Sequence, residues 1–246
     1  MNKSEIGKLI HYERTKEKIN LQKLASGVCS LTALQRLECG ERLPDFWVLG
    51  RLIERLGKSV NKLEFLYDES AYEICYLREQ IELFLEQKKL TEAEQALDYY
   101  ESMQLAGEPL HRQYLCQMRS VIELEIHKDH RAAKSLLEEA IRQTLPEFEL
   151  TRLENYLLGE SELILILMWL EADPDRGAAY IRTDGRQMLT YIEQVCQDEE
   201  VRANVYSKAA WLFGTIIMEQ DCKEALWYAG QGERILAENC RLLHLP

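Results

Sequence analysis

Proline and glycine are scarce in this chain: 5 and 12 among 246 residues. Leu, Glu, Ala, Lys and Arg are abundant instead, and that balance predicts an all-helical protein. Long apolar runs are also missing. The longest, LILILMWL at 163–170, is about half of what a bilayer crossing needs. The opening MNKSEIGKLIHYERTKEKI is charged where a secretory signal needs an apolar core. The seven cysteines (29, 39, 75, 116, 196, 222 and 240) are odd in number and form no CxxC pair. They read as reduced, mostly packed thiols of a cytoplasmic protein with no membrane partner. There is no glycine-rich phosphate loop, no nucleophile elbow and no HExxH. His127 and His130 stand three apart at an expected turn, with no supporting Cys or carboxylate set for a metal. The expectation is a protein that is not an enzyme and uses no cofactor and no metal.

Positive charge is in deficit overall, with a net of −12, but unevenly so. Residues 1–66 hold 12 Lys/Arg against 8 Asp/Glu, whereas residues 67–246 hold 18 against 34. A head of net +4 on a body of net −16 suggests two jobs, and only the head can approach a phosphate backbone favourably.

The head punctuates itself into five short helices. Ser4 can cap a helix to about Lys16, with Ile6, Leu9 and Ile10 on one face. Asn20 can cap Leu21–Ser26, and Gly27 permits a turn. Ser30 can cap Leu31–Cys39, which Gly40 stops. Pro44-Asp45 opens Phe46–Leu56, stopped by Gly57, and Ser59 caps Val60–Leu66. From Tyr72 the helices lengthen: 71–88, 91–105, 110–127, 130–144, 150–172, about 175–197, 199–219 and 223–243. A weak internal repeat runs through KKLTEAEQAL (88–97), HKDHRAAKSL (127–136) and EQDCKEALWYA (219–229), each a polar turn leading into an alanine-bearing helix start. Ala96, Ala133, Ala179 and Ala225 mark its expected small positions, with Ala140 and Gly232 seven residues on from two of them. The pattern resembles tetratricopeptide repeats, so the body at 67–246 reads as a tetratricopeptide-like solenoid of about four helical hairpins.

In the head, Leu24-Ala25, then Leu34, Leu37, Glu38, Gly40, Arg42 and Pro44, then Leu49, Leu52, Leu56 and Gly57, resemble the lambda-repressor-like, XRE-type helix-turn-helix domain over residues 6–66. The turn Gly27-Val28-Cys29-Ser30 is one residue short of the usual form. It is similar to that of the Rgg- and PlcR-type regulators, the RRNPP group of peptide-pheromone (quorum-sensing) receptors of Gram-positive bacteria. Those proteins join such a head, here 1–66, to a tetratricopeptide-like solenoid.

The resemblance implies a transcription regulator whose third helix lies in the major groove. Its outward positions would be Ser30, Leu31, Thr32, Ala33, Gln35 and Arg36. Gln35 can pair with adenine, Arg36 with guanine or phosphate, and Thr32 offers a hydroxyl and a methyl. Asn20 and Ser30 can clamp phosphates at helix N-termini. Arg42, Lys23 and Arg14 are further phosphate candidates. Family members usually carry polar groups where this chain has Leu31 and Ala33, so direct readout is expected to be thin. Arg36 has a second option, a pair with Glu38 or Glu41, while Glu38 is expected to bond within the head.

For the body, the resemblance implies a short extended peptide held on the solenoid, with asparagines bonding its backbone. Candidates are Asn155 in line with Arg152, Asn204 in line with Lys208 and Trp211, and Arg112 in line with Cys116 and Arg119. The alternative is a helix-turn-helix regulator, or a docking protein whose head keeps only the fold, whose repeat domain binds a protein partner and no peptide. The apolar residues of the last helix leave two readings, pairing with another protomer or a solenoid with further repeats beyond it, and the resemblance implies a homodimer placing two heads on a palindromic site.

Overall fold

The computed structural model describes residues 3–59, 69–103 and 108–243. Twelve α-helices and no strand occur among them: α1 Lys3–Lys16, α2 Leu21–Ala25, α3 Leu31–Glu38, α4 Phe46–Arg55, α5 Glu69–Glu86, α6 Leu90–Ser102, α7 Pro109–Ile122, α8 His130–Thr144, α9 Glu160–Ala172, α10 Pro174–Val195, α11 Glu199–Ile217 and α12 Cys222–Leu243. The all-α expectation stands: a helix-turn-helix head is followed by helical hairpins. The fifth head helix expected at Val60–Leu66 lies outside the described residues. None of the described helices is long and apolar enough to cross a membrane.

The chain forms two compact units, Met1–Leu52 with Asn61–Phe148, and Ile53–Val60 with Glu149–Pro246. In the first, Ile6, Ile10, Leu24, Leu34, Leu37, Leu49 and Leu52 make the core of the head. Helices α5 and α6, then α7 and α8, pack as successive hairpins around Ile74, Ile81, Ala93, Leu97, Tyr100, Leu115 and Ile122. The head is fastened to these hairpins. Arg78 of α5 lies 3.6 Å over the Trp47 ring and 4.1 Å over that of Tyr114. It donates at 2.6 Å to the Tyr100 hydroxyl, which in turn lies 2.6 Å from His111 Nδ1. Arg51 donates to Gln113 at 2.8 Å, and a Cβ on Gly27 would meet the Thr144 carbonyl oxygen at 1.9 Å.

In the second unit, α9 packs on α10, and α11 on α12. Glu162 is 1% exposed. Its carboxylate accepts from Arg55 at 2.8 and 3.1 Å and from the Gly159 amide at 3.0 Å.

Two expectations about the body need correction. Residues 150–172 are not one helix: a 3-10 turn, Leu150–Asn155, bends at Arg152 (φ −131°, ψ 44°). Non-helical chain then runs to Gly159, whose amide starts α9. The break is bought by hydrogen bonds, since the Leu158 amide donates to the Tyr191 hydroxyl at 2.9 Å. The repeat register also slips. Ala133, Ala140 and Ala225 are buried, but Ala179 is exposed and Ala178 takes the packed position. A further departure is a π-helical turn, Glu123–His127, which ends the expected helix 110–127.

Candidate nucleic-acid interface

The helix-turn-helix is built by caps. Asn20 Oδ1 accepts from the Lys23 amide at 2.6 Å and starts α2. The chain then turns through Gly27 at φ +72°, a conformation that favours glycine. Ser30 Oγ accepts from the Ala33 amide at 3.1 Å and starts α3. At its other end the Gly40 amide donates to the Leu37 carbonyl at 2.8 Å and the Glu41 amide to that of Arg36 at 2.9 Å. Gly40 sits at φ +72°. This is a Schellman ending, which fixes the length of α3 at eight residues.

Leu34 and Leu37 turn into the core, with no exposed surface. Leu31, Thr32, Ala33, Gln35 and Arg36 are all exposed. A shallow groove of about 370 Å³ runs beside them, lined by Cys29, Ser30, Thr32, Ala33, Arg36, Arg42, Pro44, Asp45 and Val48. The side chains of Gln35, Arg36 and Arg42 have no hydrogen bond or ion pair among the described residues. The pairing of Arg36 with Glu38 or Glu41 is therefore absent.

Glu38 is committed elsewhere, as expected of a group bonded within the head. Arg14 grips it with two bonds, 2.6 and 2.9 Å long, and His11 Nδ1 lies 2.7 Å away. Burial pushes the Glu38 carboxyl up, but the bonds from Arg14 and His11 outweigh it and hold the pKa below its ordinary value. Arg14 also donates to the Ile19 carbonyl at 2.9 Å, so it is a brace between α1 and α3 and not a free phosphate contact. Sequence reasoning missed a second brace. A Cβ on Gly7 would meet the Leu37 carbonyl oxygen at 2.1 Å, so α1 crosses the end of α3 where only glycine fits. The signal was a lone glycine amid the apolar face of α1.

The candidate peptide residues fall in both compact units. In the first, Arg112 pairs with Glu139 at 2.7 Å and Glu101 at 3.6 Å. Arg119 pairs with Glu101 at 2.6 Å and Asp98 at 3.2 Å. Cys116, between them, is buried, and burial raises its thiol to about 11. In the second unit Arg152 pairs with Glu149 at 3.0 Å, and Asn155, exposed, ends the 3-10 turn. Neither stands on a long helix. Asn204 donates to Glu160 at 2.9 Å, and Lys208 on the next turn is exposed. Burial keeps the Glu160 carboxyl above its ordinary pKa, despite the Asn204 bond.

The fold is that of PlcR. The crystal structure of Bacillus thuringiensis PlcR in complex with the peptide PapR7 and DNA matches with a TM-score of 0.51, over 97% of this chain and 81% of that one, at 17% sequence identity. At that identity the likeness to PlcR is one of fold. No family model matches the sequence, and no curated protein matches it significantly.

Proposed function

We propose that this chain is a sequence-specific DNA-binding transcription regulator whose helical repeats dimerise and sense a short peptide. The observation that carries the DNA reading is the outer face of α3, where Gln35 and Arg36 stand exposed and without partners beside a likewise free Arg42. Such a face meets a base edge and a phosphate without first breaking bonds of its own. The basic head, capped as a helix-turn-helix, presents it. Asn20 keeps its amide N–H groups for a phosphate, since only its oxygen serves the cap. Ser30 and Lys23 are the remaining candidates for phosphate contact on the head.

Peptide sensing is supported by the fold shared with PlcR, which is described in complex with the peptide PapR7. In this chain the candidate contacts are Arg112 and Arg119 in the first unit, or Arg152, Asn155, Asn204 and Lys208 in the second, and a peptide would have to compete with the acids that hold Arg112, Arg119, Arg152 and Asn204. Dimerisation is supported by apolar side chains left exposed on the last two helices: Trp211 at 75%, Leu226 at 68% and Leu236 at 47%. Ligand would act by favouring the state of the dimer it binds better.

The deciding experiment selects duplexes from a random library with the full chain and with the Gln35→Ala, Arg36→Ala double variant. An inverted-repeat motif lost in the double variant is the expected result. Enrichment equal to a salt-sensitive background would overturn the DNA reading and leave the protein-docking alternative. A library of short peptides of varied length that never raises the melting temperature of the full chain would overturn peptide sensing alone. Sedimentation as a monomer at micromolar concentration would remove the dimer.

A further inference from the structure

The first turn of α3 has a chemistry unlike the rest of its outer face. Leu31, its first residue, is 44% exposed. Thr32 and Ala33 beside it are exposed too, while the core face is supplied by Leu34 and Leu37. Three consecutive side chains thus present carbon, and the one polar atom among them, the Thr32 hydroxyl, has no hydrogen bond among the described residues. Leu31 contributes little to the buried core of the head, so its apolar surface is available to something outside the chain.

The charge pattern favours a duplex as that partner. No acidic side chain stands in the first turn of α3, and Glu38 in its last is gripped by Arg14. Arg36 and Arg42 line the adjoining groove as free cations. The one apolar group that a base pair shows in the major groove is the 5-methyl of thymine. A polar edge set against Leu31 or Ala33 would lose its water and gain no hydrogen bond. We infer that Leu31, flanked by the methyl groups of Thr32 and Ala33, reads thymine 5-methyl groups, so that each half-site carries a thymine where the first turn of α3 enters the groove. This rests on the DNA-binding reading above, and it assigns specificity to a residue with no polar atom in its side chain.

The test uses the full chain and its selected duplex, with each thymine replaced in turn by deoxyuridine, which removes only the methyl. Binding should weaken roughly fourfold at one or two thymines per half-site, the loss expected for one methyl no longer buried. The variant Leu31→Ala should bind less tightly and no longer distinguish uracil from thymine there, while melting as the parent does because Leu31 lies outside the core. Wild-type binding indifferent to uracil at every thymine would overturn the inference while leaving DNA binding intact. So would a Leu31→Ala variant that keeps the full uracil penalty. Failure to select any duplex would overturn the DNA reading and this inference with it.

Discussion

Arg36 on the outer face of α3, and Arg42 just past the helix, have no side-chain partner among the described residues. On one helical face of α7, Arg112 is held between Glu101 of α6 and Glu139 of α8, and Arg119 by Asp98 and Glu101 of α6. Both pairs belong to the first compact unit. A free, exposed guanidinium keeps its full attraction for a phosphate. A paired one must first give up the carboxylate it holds, so a peptide carboxylate gains only the difference. Arg55 in the second unit is the extreme of the paired kind, with a side chain 1% exposed against a Glu162 that is fully covered.

That extreme gives the largest expected effect. Glu162→Ala would leave the Arg55 charge buried without its carboxylate, at a cost of about 3–5 kcal/mol in urea unfolding. Replacing both, Arg55→Met with Glu162→Leu, should cost far less, because no charge is then stranded. Equal losses in the two variants would mean that Glu162 acts through its bond to the Gly159 amide and not through the ion pair.

His111 offers the next largest, and it concerns how the head is fastened to the hairpins. Burial first, and the Arg78 charge second, lower its pKa to about 4. Its Nδ1 accepts from Tyr100 and Arg78, which fits a neutral ring. The unfolded chain binds a proton near pH 6.5 and the folded chain does not until about pH 4, so stability falls as pH drops through that window. The contribution is roughly 2 kcal/mol once solvent screening is allowed for. A His111→Gln variant should lose this part of the pH dependence. An unchanged slope between pH 6.5 and 4 would place the titration elsewhere.

The head was far more legible than the body because its signals are local. Asn20, Ser30, Gly27 and Gly40 act within a few residues of themselves, through a cap or a positive φ, and the helix ends they imply lie within about a residue of the observed ones. Glu38 was legible as a structural group, though not its partner, since Arg14 lies 24 residues away. In the body the decisive bonds are distant: the break before α9 depends on Tyr191, 33 residues beyond Leu158. Periodicity alone carried the expected helix through that break. The same limit applied to Arg112, Arg119 and Asn204. Helical spacing aligned them, but the acids that hold them come from neighbouring helices.

The arginines beside α3 should answer to salt and sequence and not to stability. Arg36→Ala is expected to weaken binding to the selected duplex by about 1–3 kcal/mol if it reads guanine, with relaxed specificity at one position. If Arg36 meets a phosphate, binding should weaken alike on every sequence and the salt dependence should drop by about one counterion. Arg42→Ala should follow the second pattern. Neither should shift the melting temperature, because neither side chain has a bond to lose in the free protein.

Arg112→Ala gives the smallest effect and tests the other half of the comparison. Its partners Glu139 and Glu101 are both about two-fifths exposed, so solvent screens the pairs and the loss in stability should stay between about 0 and 1 kcal/mol. DNA binding by the full chain without peptide should be unchanged. If the α7 face holds a peptide carboxylate, Arg112→Ala and Glu139→Gln should move peptide affinity in opposite directions. The first removes a cation the ligand needs, and the second removes the acid that competes for it. Two variants that leave peptide affinity untouched would make this row a structural tie between hairpins, and the search would move to Asn204 and Lys208 in the second unit.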